Sequence, residues 1–411
     1  MISSIHAGGA SAPADLRDNP TPEFIEALRR RFPTDPETDA LLVRKMRRRS
    51  GPPYQYITLD EMIGRLRHML ADVIHGAFEI AEPKWLTGGA SKVQMAFKLN
   101  WTDPARGPSN DHLVIRMDPS EASNTTSRVR EAELLDAFQD ILPVPKVFWL
   151  DAEGRWFPEP AIIYSFVHGV TRPRHGTAGR IVGLGTNFGP ALRETLAPQF
   201  LQHLAAIHTA DVARMSFTTM APPAVNTDEC ARLQLNRARR VWEEDRAEAF
   251  PLMEVAANWL ERNLPILDRV SVVHGDYRSG NFLFDESSGK ITAWLDWERG
   301  HLGDRHRDLA WLTQKEKGHV SEDGKTYLVC GLIPLDEFNE RYAKASGLPI
   351  LQDRLTFYRI LNCYQIITTV LATANRVAKL GKSHQDVLLA RLKGIAPVIA
   401  KELSDLLEEH I

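Results

Sequence analysis

The chain has 411 residues, of which 43% are hydrophobic and 25% are charged, and this composition is typical of a soluble globular protein with two or so lobes. Its net charge of −3 excludes a bulk electrostatic attraction for nucleic acid or for an anionic membrane surface. No run of about 18 apolar residues occurs, so we expect no membrane-spanning helix.

The amino terminus and the cysteines indicate a cytoplasmic protein. Residues 1–15 are small and polar, and they lack the basic start and the apolar stretch of a secretory signal peptide. The three cysteines, Cys230, Cys330 and Cys363, are odd in number and far apart in the sequence. We therefore expect buried thiols in a reducing compartment, with neither a disulfide framework nor a zinc site.

The first 82 residues predict an extension that contains helices. Thr58 and Glu61 have the spacing of a capping box at the start of an amphipathic helix, which we expect to pack against the rest of the protein. Residues 44–49 form a basic run that could be a nucleic-acid patch. Because no aromatic residues interleave this run, we interpret it as a solvated helix end and expect no nucleic-acid partner.

Beyond this extension the hydrophobic pattern changes to that of strands. A loop of small residues at 87–92 separates two apolar runs and predicts a hairpin. Residues 112–117 form a further strand in which Arg116 stands among apolar neighbours, and a helix follows it. Within that helix, Glu131 is the favoured carboxylate partner for Arg116, and Glu133 is the alternative.

After the apolar strand at residues 161–167, the chain becomes mainly helical. The glycine-rich stretch at 172–189 is long enough to be a functional lid. We interpret His208 as a hydrogen-bonded core histidine and not as a ligand. Several aromatic residues could line an acceptor pocket, although core packing is the better interpretation for each of them: Trp242, Trp311, Phe338, Tyr342, Phe357, Tyr358 and Tyr364.

The stretch from 270 to 312 contains most of the chemistry. A short apolar run leads to His274 and Asp276, and Asn281 opens a second apolar run. A polar connection that contains glycine follows, and then a third run that ends at Asp296. Two apolar runs joined in this way predict a β-hairpin, which brings Asn281 and Asp296 to the same open end.

This arrangement suits phosphoryl transfer. An amide oxygen beside a carboxylate favours Mg²⁺, which takes oxygen ligands and shares them with nucleotide phosphates, so we predict Asn281 and Asp296 as magnesium ligands. Asp276 lies a few residues away, where it can accept the proton of an attacking hydroxyl as the catalytic base. His274 could also transfer a proton, but a hydrogen bond that orients the loop is the better interpretation.

The same stretch resembles the catalytic core of the aminoglycoside phosphotransferase-like, or choline-kinase-like, small-molecule kinases. Those kinases carry H-G-D-x-x-x-x-N, D-x-E and G-D-x-x-x-D-L-A motifs, which match residues 274–281, 296–298 and 303–310. The resemblance extends over residues 83–375. The chain departs from the family pattern at Arg305, where proline is frequent, and this departure bears on loop rigidity.

The resemblance implies which residues hold the nucleotide phosphates. Gly88, Gly89 and Ser91 lie in the hairpin loop that covers the phosphates in such kinases. Arg116 stands where a lysine usually holds the α- and β-phosphates, with Glu131 as the carboxylate that fixes it. An arginine at this position is characteristic of the branch related to the kinase domain fused to some acyl-CoA dehydrogenases.

The resemblance also implies ATP and Mg²⁺ as cofactors. The backbone of Ser165, Phe166 and Val167 would hydrogen-bond the adenine edge in the segment that links the lobes. Asp304 would brace the catalytic loop.

The implied fold is α+β and bilobal, like that of protein kinases. It would comprise an N-terminal extension (1–82), a small β-rich lobe with the hinge (83–169) and a large, mostly helical lobe with the catalytic loop and the acceptor pocket (170–411).

The phosphate acceptor is the part of the function that the motifs leave open. The segment 233–246 contains Arg237, Arg239, Arg240 and Arg246 together with the acidic residues 243–245, and no long acidic cluster suited to a polycationic aminoglycoside occurs. Together with Arg116 they favour a hydroxyl on an acidic or CoA-linked metabolite, such as a hydroxyacyl-CoA. One alternative is an aminoglycoside or macrolide kinase. The other is an inactive kinase fold that serves as a binding module, which retention of the base and both metal ligands disfavours.

Overall fold

The computed structural model describes residues 15–86, 92–174 and 184–410. It has a small lobe built on a five-stranded antiparallel sheet and a larger lobe made mainly of helices, so the predicted bilobal α+β fold is confirmed. The strands are β1 (Glu79–Trp85), β2 (Val93–Asp103), β3 (Gly107–Met117), β4 (Val147–Asp151), β5 (Ala161–Ser165), β6 (Ser271–Val273), β7 (Phe282–Asp285), β8 (Lys290–Trp294), β9 (His301–Gly303), β10 (His319–Val320), β11 (Tyr327–Val329) and β12 (Ile333–Pro334).

Helices form the N-terminal extension and most of the large lobe. A six-residue π-helical segment, Thr368–Thr373, directly follows the tenth helix. The α-helices are α1 (Pro22–Arg31), α2 (Pro36–Arg48), α3 (Leu59–Val73), α4 (Arg128–Phe138), α5 (Gly189–Thr209), α6 (Glu229–Asp245), α7 (Pro251–Arg262), α8 (His306–Leu312), α9 (Leu335–Ser346), α10 (Gln352–Ile367), α11 (Ala374–Lys379), α12 (Asp386–Arg391) and α13 (Ala396–Glu408).

The small lobe is organised by a sheet of strand order β1-β2-β3-β5-β4. The predicted capping box is present at the start of α3, because the Thr58 hydroxyl accepts from the Glu61 N–H while the Glu61 carboxylate accepts from the Thr58 N–H. The apolar stripe of α3 then packs on one face of the sheet. Alternate residues of β2 and one stripe of α3 form this core, as period-2 and period-3.6 patterns require: Met95, Phe97 and Leu99 with Met62, Leu66 and Leu70.

Three small sheets lie in the large lobe, and two of them carry the catalytic stretch. β6 pairs antiparallel with β9, and β7 pairs antiparallel with β8 as the predicted hairpin. The third sheet has the order β10-β11-β12. The open end of the β7–β8 hairpin meets the small lobe, where Arg116 of β3 contacts Asp296.

The basic run at residues 44–49 is only in part the solvated helix end that the sequence suggested. Arg47 and Arg48 are exposed, but two other cations of the run are buried. Lys45 and Arg49 are 7% and 1% exposed. Lys45 Nζ lies 3.2 Å, and Arg49 Nη1 2.8 Å, from Asp245 Oδ1. Arg49 Nη2 lies 2.8 Å from Glu121 Oε2. This network fastens the extension to α6 of the large lobe, and its partners are too distant in sequence to be visible in a local pattern.

The cysteines and the helix lengths agree with the sequence analysis. Cys230, Cys330 and Cys363 are all free and buried, as predicted. Across the three described ranges, no helix combines the length and the apolar character needed to cross a bilayer.

We predict that Asp245→Ala lowers the free energy of unfolding by about 3–5 kcal/mol, because Lys45 and Arg49 stay buried without that counter-charge. Urea denaturation measures the change. Asp405→Ala, which removes an exposed ion pair with Lys401, is the control and should leave the midpoint nearly unchanged. Equal midpoints for the two variants would contradict a stabilising network.

The same network makes a pH prediction. Burial raises the pKa of Asp245, but Lys45 and Arg49 outweigh burial, so its pKa lies well below the ordinary value. A carboxylate with a lowered folded-state pKa contributes stability that is complete above the unfolded-state pKa of about 4 and is lost on acidification below it. The midpoint difference between Asp245→Ala and the wild type should therefore shrink as the pH falls below about 4.

Candidate active site

Asp276 lies in the loop between β6 and β7, where three neighbouring side chains hold its carboxylate. Trp311 Nε1 donates to its Oδ1 at 2.7 Å, and Arg278 Nε donates to the same oxygen at 3.1 Å. Asn281 Nδ2 donates to its Oδ2 at 2.8 Å. The candidate base therefore has a defined orientation. Trp311, one of the aromatic residues predicted to line the acceptor pocket, contacts it directly.

The charge state of Asp276 follows from its surroundings. Burial alone would raise the pKa of the carboxyl group, but the positive charges of Arg278, Arg299 and Lys317 outweigh burial. The pKa of Asp276 is therefore lowered, and the group is an ionised hydrogen-bond acceptor at neutral pH.

Asp308, at the start of α8, braces the catalytic loop. Its Oδ2 accepts from the His274 N–H at 2.7 Å, and its Oδ1 accepts from the Gly275 N–H at 2.8 Å. His208, fully buried as predicted, has its Nε2 3.3 Å from Asp308 Oδ2. The His274 ring contacts the Leu295 carbonyl through Nε2 at 3.1 Å, which agrees with a role in orienting the loop.

The prediction that Asp304 braces the catalytic loop is wrong, because Asp308, four residues later, accepts the loop hydrogen bonds. Asp304 Oδ1 accepts from the backbone N–H of His306 at 2.9 Å and contacts its ring Nδ1 at 2.6 Å. Its other oxygen lies 3.4 Å from Arg354 Nη1. Asp304 therefore closes the start of α8. Both aspartates are in the same sequence motif, and only the packing of α8 under the loop decides which one reaches the loop amides.

Asn281 and Asp296 lie at the same end of the β7–β8 hairpin, as predicted. Phe282 pairs with Trp294, and the Leu295 N–H donates to the Asn281 carbonyl at 2.8 Å. Asp296 follows with a left-handed backbone (φ 66°), a conformation that Asp tolerates better than most residues. The local hairpin geometry thus brings the amide and the carboxylate together.

The two side chains fit a magnesium site in their donor atoms. Asn281 Nδ2 donates to the carbonyl and the carboxylate of Asp276, which leaves its Oδ1 as a ligand atom. Asp296 Oδ1 is 2.6 Å from Arg116 Nη2, and among the described residues its second oxygen has no hydrogen-bond donor. Amide and carboxylate oxygens of this kind are the ligands that Mg²⁺ prefers.

Arg116 of β3 joins the small lobe to this end of the hairpin. Its guanidinium is 5% exposed, and Nη1 donates to Glu131 of α4, the predicted partner. Nη2 lies 2.6 Å from Asp296 Oδ1 and 2.8 Å from Glu298 Oε2, two contacts that the sequence did not suggest. Glu133, the alternative partner, instead accepts hydrogen bonds from residues 218–219.

Sequence reasoning missed two cations of this network. Lys92 Nζ lies 2.8 Å from Asp118 Oδ1 and 3.4 Å from Glu298 Oε2. Arg128 contacts Glu131 and lies 3.3 Å from Glu298 Oε2. The one available signal was Glu298, the acidic residue of the D-x-E motif to which the sequence analysis gave no role. Its charge implied a cationic partner, but the sequence did not show which residue this would be.

The predicted adenine segment is partly engaged in the sheet. The Ser165 N–H donates to the Lys146 carbonyl and the Phe166 N–H to the His112 carbonyl, both at 2.8 Å. The rings of Phe166 and His112 stack with centroids 3.9 Å apart. Gly88, Gly89 and Ser91 lie outside the described residues, as does the 175–183 part of the glycine-rich stretch.

The arginines of α6 divide into two kinds. Arg237 has no carboxylate partner within 4 Å among the described residues, and it donates to the Thr125 carbonyl at 3.1 Å. The other three are paired with acidic side chains and so do not support an acidic acceptor: Arg239 with Glu261, Arg240 with Glu244 and Asp39, and Arg246 with Glu243.

The other predicted pocket aromatics belong to the core of the large lobe, which was the favoured interpretation. Tyr342, fully buried, is representative, because its hydroxyl lies 2.8 Å from His208 Nδ1 and so supports the histidine that contacts Asp308. The remaining ones pack in the same core: Trp242, Phe338, Phe357, Tyr358 and Tyr364.

We predict that Asp308→Asn opens the catalytic loop, because one of the two amides of His274 and Gly275 loses its acceptor. The variant should lose about 1–3 kcal/mol of stability. Amide hydrogen exchange in residues 273–277 should accelerate about 10-fold or more. Asp304→Asn is the matched control and should accelerate exchange only around α8. A catalytic loop that opens as much in the control would restore Asp304 as the brace.

Sequence comparisons agree with this geometry. A family model described as "Phosphotransferase enzyme family" matches residues 100–356, which is more than half of the chain. A protein from Arabidopsis thaliana that is named as an acyl-CoA dehydrogenase is 28% identical over 272 residues. That match covers 61% of this chain and 32% of the relative, so the chain spans about a third of the relative's length.

Solved structures share the fold. A Ralstonia eutropha protein classed with the aminoglycoside phosphotransferases has a TM-score of 0.54 at 22% identity, covering 83% of this chain and 98% of that one. A thermostable mutant of aminoglycoside phosphotransferase APH(4)-Ia, in complex with ADP and hygromycin B, has a TM-score of 0.51 at 16% identity, with coverages of 81% and 97%. With the motifs in place and the family model matched across both lobes, the chain belongs to the phosphotransferase enzyme family.

Proposed function

We propose that this protein is a kinase that transfers the γ-phosphate of ATP to a hydroxyl group of a small molecule. The observation that carries the proposal is the ionised Asp276 carboxylate, held by Trp311, Arg278 and Asn281 beside the Asn281 and Asp296 pair. A base, an amide and a carboxylate in this arrangement are the working parts of phosphoryl transfer to an alcohol.

Asp276 would act on the acceptor hydroxyl. Its lowered pKa makes it a weak base in the ground state, so it would orient the hydroxyl by a hydrogen bond and take the proton late, as the bond to phosphorus forms. Asp308 would act through the loop, because its contacts with the His274 and Gly275 amides fix the position of Asp276. Orientation of this kind is a major source of rate in phosphoryl transfer.

The nucleotide would lie between the lobes. Arg116, which Glu131 holds, would contact the phosphates, and Gly88 and Gly89 with Ser91 would cover them. The Ser165 and Phe166 amides donate within the sheet, so the adenine edge would be bound through the carbonyls of this segment and the Val167 N–H.

Asn281 and Asp296 would hold Mg²⁺, which when bound neutralises charge on the phosphates. Asp296 already faces a cation, the Arg116 guanidinium at 2.6 Å. A site that stabilises positive charge at this carboxylate is compatible with a divalent cation. Arg116 would keep its contacts with Glu131 and Glu298 when Asp296 takes the metal.

For the acceptor, we propose a hydroxyl on an acidic or CoA-linked metabolite, such as a hydroxyacyl-CoA. The similarity to a relative named as an acyl-CoA dehydrogenase supports this class. The arginine in the place of the usual lysine supports it as well. Hygromycin B is bound in one structural neighbour, but the resemblance to that neighbour concerns the fold alone.

We predict that the protein binds Mg²⁺ and ATP together. Calorimetry should detect nucleotide binding that weakens about 10-fold or more when EDTA is present or when Asp296 is replaced in Asp296→Ala, because the phosphates lose the cation that neutralises them. Asp285→Ala, an exposed aspartate at the other end of the same hairpin, is the control. Binding that ignores both EDTA and the Asp296 substitution would rule out the metal assignment.

We predict that Asp276→Asn binds the nucleotide almost normally but loses about 10²- to 10⁴-fold in kcat, because the base acts on the hydroxyl and not on ATP. Steady-state kinetics with an acceptor that the wild-type protein phosphorylates measure the loss. Since the pKa of Asp276 is lowered, its carboxylate stays ionised at pH 5 and above, and the wild-type kcat should show no acidic limb from this group between pH 5 and 7. An unchanged kcat in Asp276→Asn would transfer the role to another group.

A further inference from the structure

A partly open cleft with a cavity volume of about 60 Å³ lies beside the catalytic loop. Gly275 forms one edge of it, directly before the candidate base. The other walls come from α2, α6, the loop at 123–125, α8 and the π-helical segment at the end of α10. π-helical turns are rare and are found frequently at functional sites.

Three guanidinium groups line this cleft, those of Arg237, Arg299 and Arg307. In the described part of the chain, no carboxylate oxygen lies within 4 Å of any of them, although neighbouring arginines on α6 are all paired. Their protein contacts are neutral. Arg237 donates to the Thr125 carbonyl at 3.1 Å, and Arg299 and Arg307 both donate to Gln365 Oε1, the former at 3.4 Å.

Two of the three positive charges, those of Arg237 and Arg307, are poorly compensated. Arg307 is 4% exposed, and its Nη1 has no hydrogen-bond partner among the described residues. Burial, with repulsion from Arg299 and Arg237, lowers the pKa of Arg307 to about 9. Burial also lowers the pKa of Arg237 to about 10. Both groups are still protonated at neutral pH, and a buried cation without a counter-charge costs free energy unless a ligand supplies one.

We infer that this arginine cleft, formed by Arg237, Arg299 and Arg307, binds an anionic carboxylate or phosphate group of the acceptor whose hydroxyl Asp276 receives. The inference rests on the proposed kinase function and names a feature of its substrate. Guanidinium groups are suited to it because their paired N–H donors match the oxygens of carboxylates and phosphates.

Arg299 links the cleft to the base. Its guanidinium lies 4.6 Å from the centre of the Trp311 ring, and Trp311 Nε1 donates to Asp276 Oδ1. Its backbone packs so closely on Gly275 that a Cβ there would come 2.6 Å from the Arg299 carbonyl oxygen. Only the Trp311 side chain would therefore separate an anion bound to Arg299 from the Asp276 carboxylate. A small hydroxy acid, or one arm of a larger molecule, can span this separation.

The charge of the cleft also excludes a class of acceptors. A polycationic sugar would bring ammonium groups toward three guanidinium groups that have no carboxylate within 4 Å among the described residues, and like charges at close range weaken binding. Neutral hydrogen-bonding residues on the walls, Ser123, Asn124 and Gln234, add no negative charge that could offset this repulsion.

Binding of inorganic phosphate to the full-length protein, measured by calorimetry without nucleotide, tests the cleft independently of catalysis. Arg237→Gln and Arg307→Gln should each weaken phosphate binding about 10-fold or more, because each removes a charged donor pair. Arg239→Gln, on the same helix as Arg237 but paired with Glu261, is the matched control and should bind phosphate like the wild type. Equal phosphate binding in the wild type, Arg237→Gln and Arg307→Gln would overturn the inference.

Thermal unfolding separates loss of the site from loss of the fold. Without phosphate, Arg307→Gln should unfold at the same temperature as the wild type or higher, because the substitution removes an uncompensated buried charge. Phosphate at about 100 times its dissociation constant should raise the wild-type midpoint by roughly 3 °C and leave that of Arg307→Gln in place. If Arg307→Gln does not fold, the half-buried Arg237 provides the same comparison in Arg237→Gln.

An ATP-consumption screen tests the substrate class. Hydroxy acids and hydroxyacyl-CoAs are compared with aminoglycosides, and each acid with its neutral methyl ester. Acids should be phosphorylated with a KM at least about 10-fold below that of their esters, and Arg237→Gln should raise the KM for the acid more than it changes kcat. Arg239→Gln should keep the wild-type constants.

The outcomes separate the two proposals. Phosphate binding that depends on Arg237 and Arg307, with no acceptor phosphorylated, would contradict the proposed kinase function while the anion site stands. Phosphorylation of an aminoglycoside, or of acids and esters with equal KM, would overturn the anionic acceptor while the kinase function stands.

Discussion

The arrangement of the two lobes depends on the ion pairs made by the buried guanidinium of Arg116. It leaves the central strand of the small lobe, meets Glu131 of the neighbouring helix and reaches across to Asp296 and Glu298 of the large lobe. An arginine can make these contacts at once because its planar fork presents five N–H donors. Because these charges are buried, removal of one partner leaves another charge uncompensated and destabilises the protein. The small lobe is thereby aligned on the end of the hairpin that carries Asn281 and Asp296.

Charge compensation separates structural from functional cations across the molecule. Arg49, Lys45 and Arg240 are buried and each faces carboxylates, so their role is to hold the N-terminal extension and α6 together. Arg307 is equally buried and Arg237 is half-buried, and neither has such a partner among the described residues. Natural proteins tolerate an uncompensated charge mainly at sites where a ligand completes it, because the stability that is lost there serves binding. The absence of carboxylate partners, more than the number of arginines, indicates that the cleft binds a ligand.

The parts of the site that the sequence predicted are those made by neighbours in the chain. Asp276, Asn281 and Asp296 lie within one loop and one hairpin, so spacing and turn geometry suffice to bring them together. The Thr58 and Glu61 cap was predictable for the same reason. The pair of Arg116 with Glu131 was also foreseen, because the kinases that the chain resembles hold this cation with an acidic residue of the next helix.

The sequence by itself thus determined the bilobal kinase-like fold, through the motifs that carry the family resemblance. It also brought together Asp276, Asn281 and Asp296, the candidate base and the two candidate metal ligands, since motif spacing is a local property. Only the tertiary structure decided that Asp308 and not Asp304 supports the loop, that Lys45 and Arg49 of the basic run are buried, and that Arg237 lines the same cleft as Arg299 and Arg307. Each of these outcomes depends on how helices distant in sequence pack. An ion pair or an unpaired charge is a property of the whole environment of a side chain, and no single stretch of sequence contains that environment.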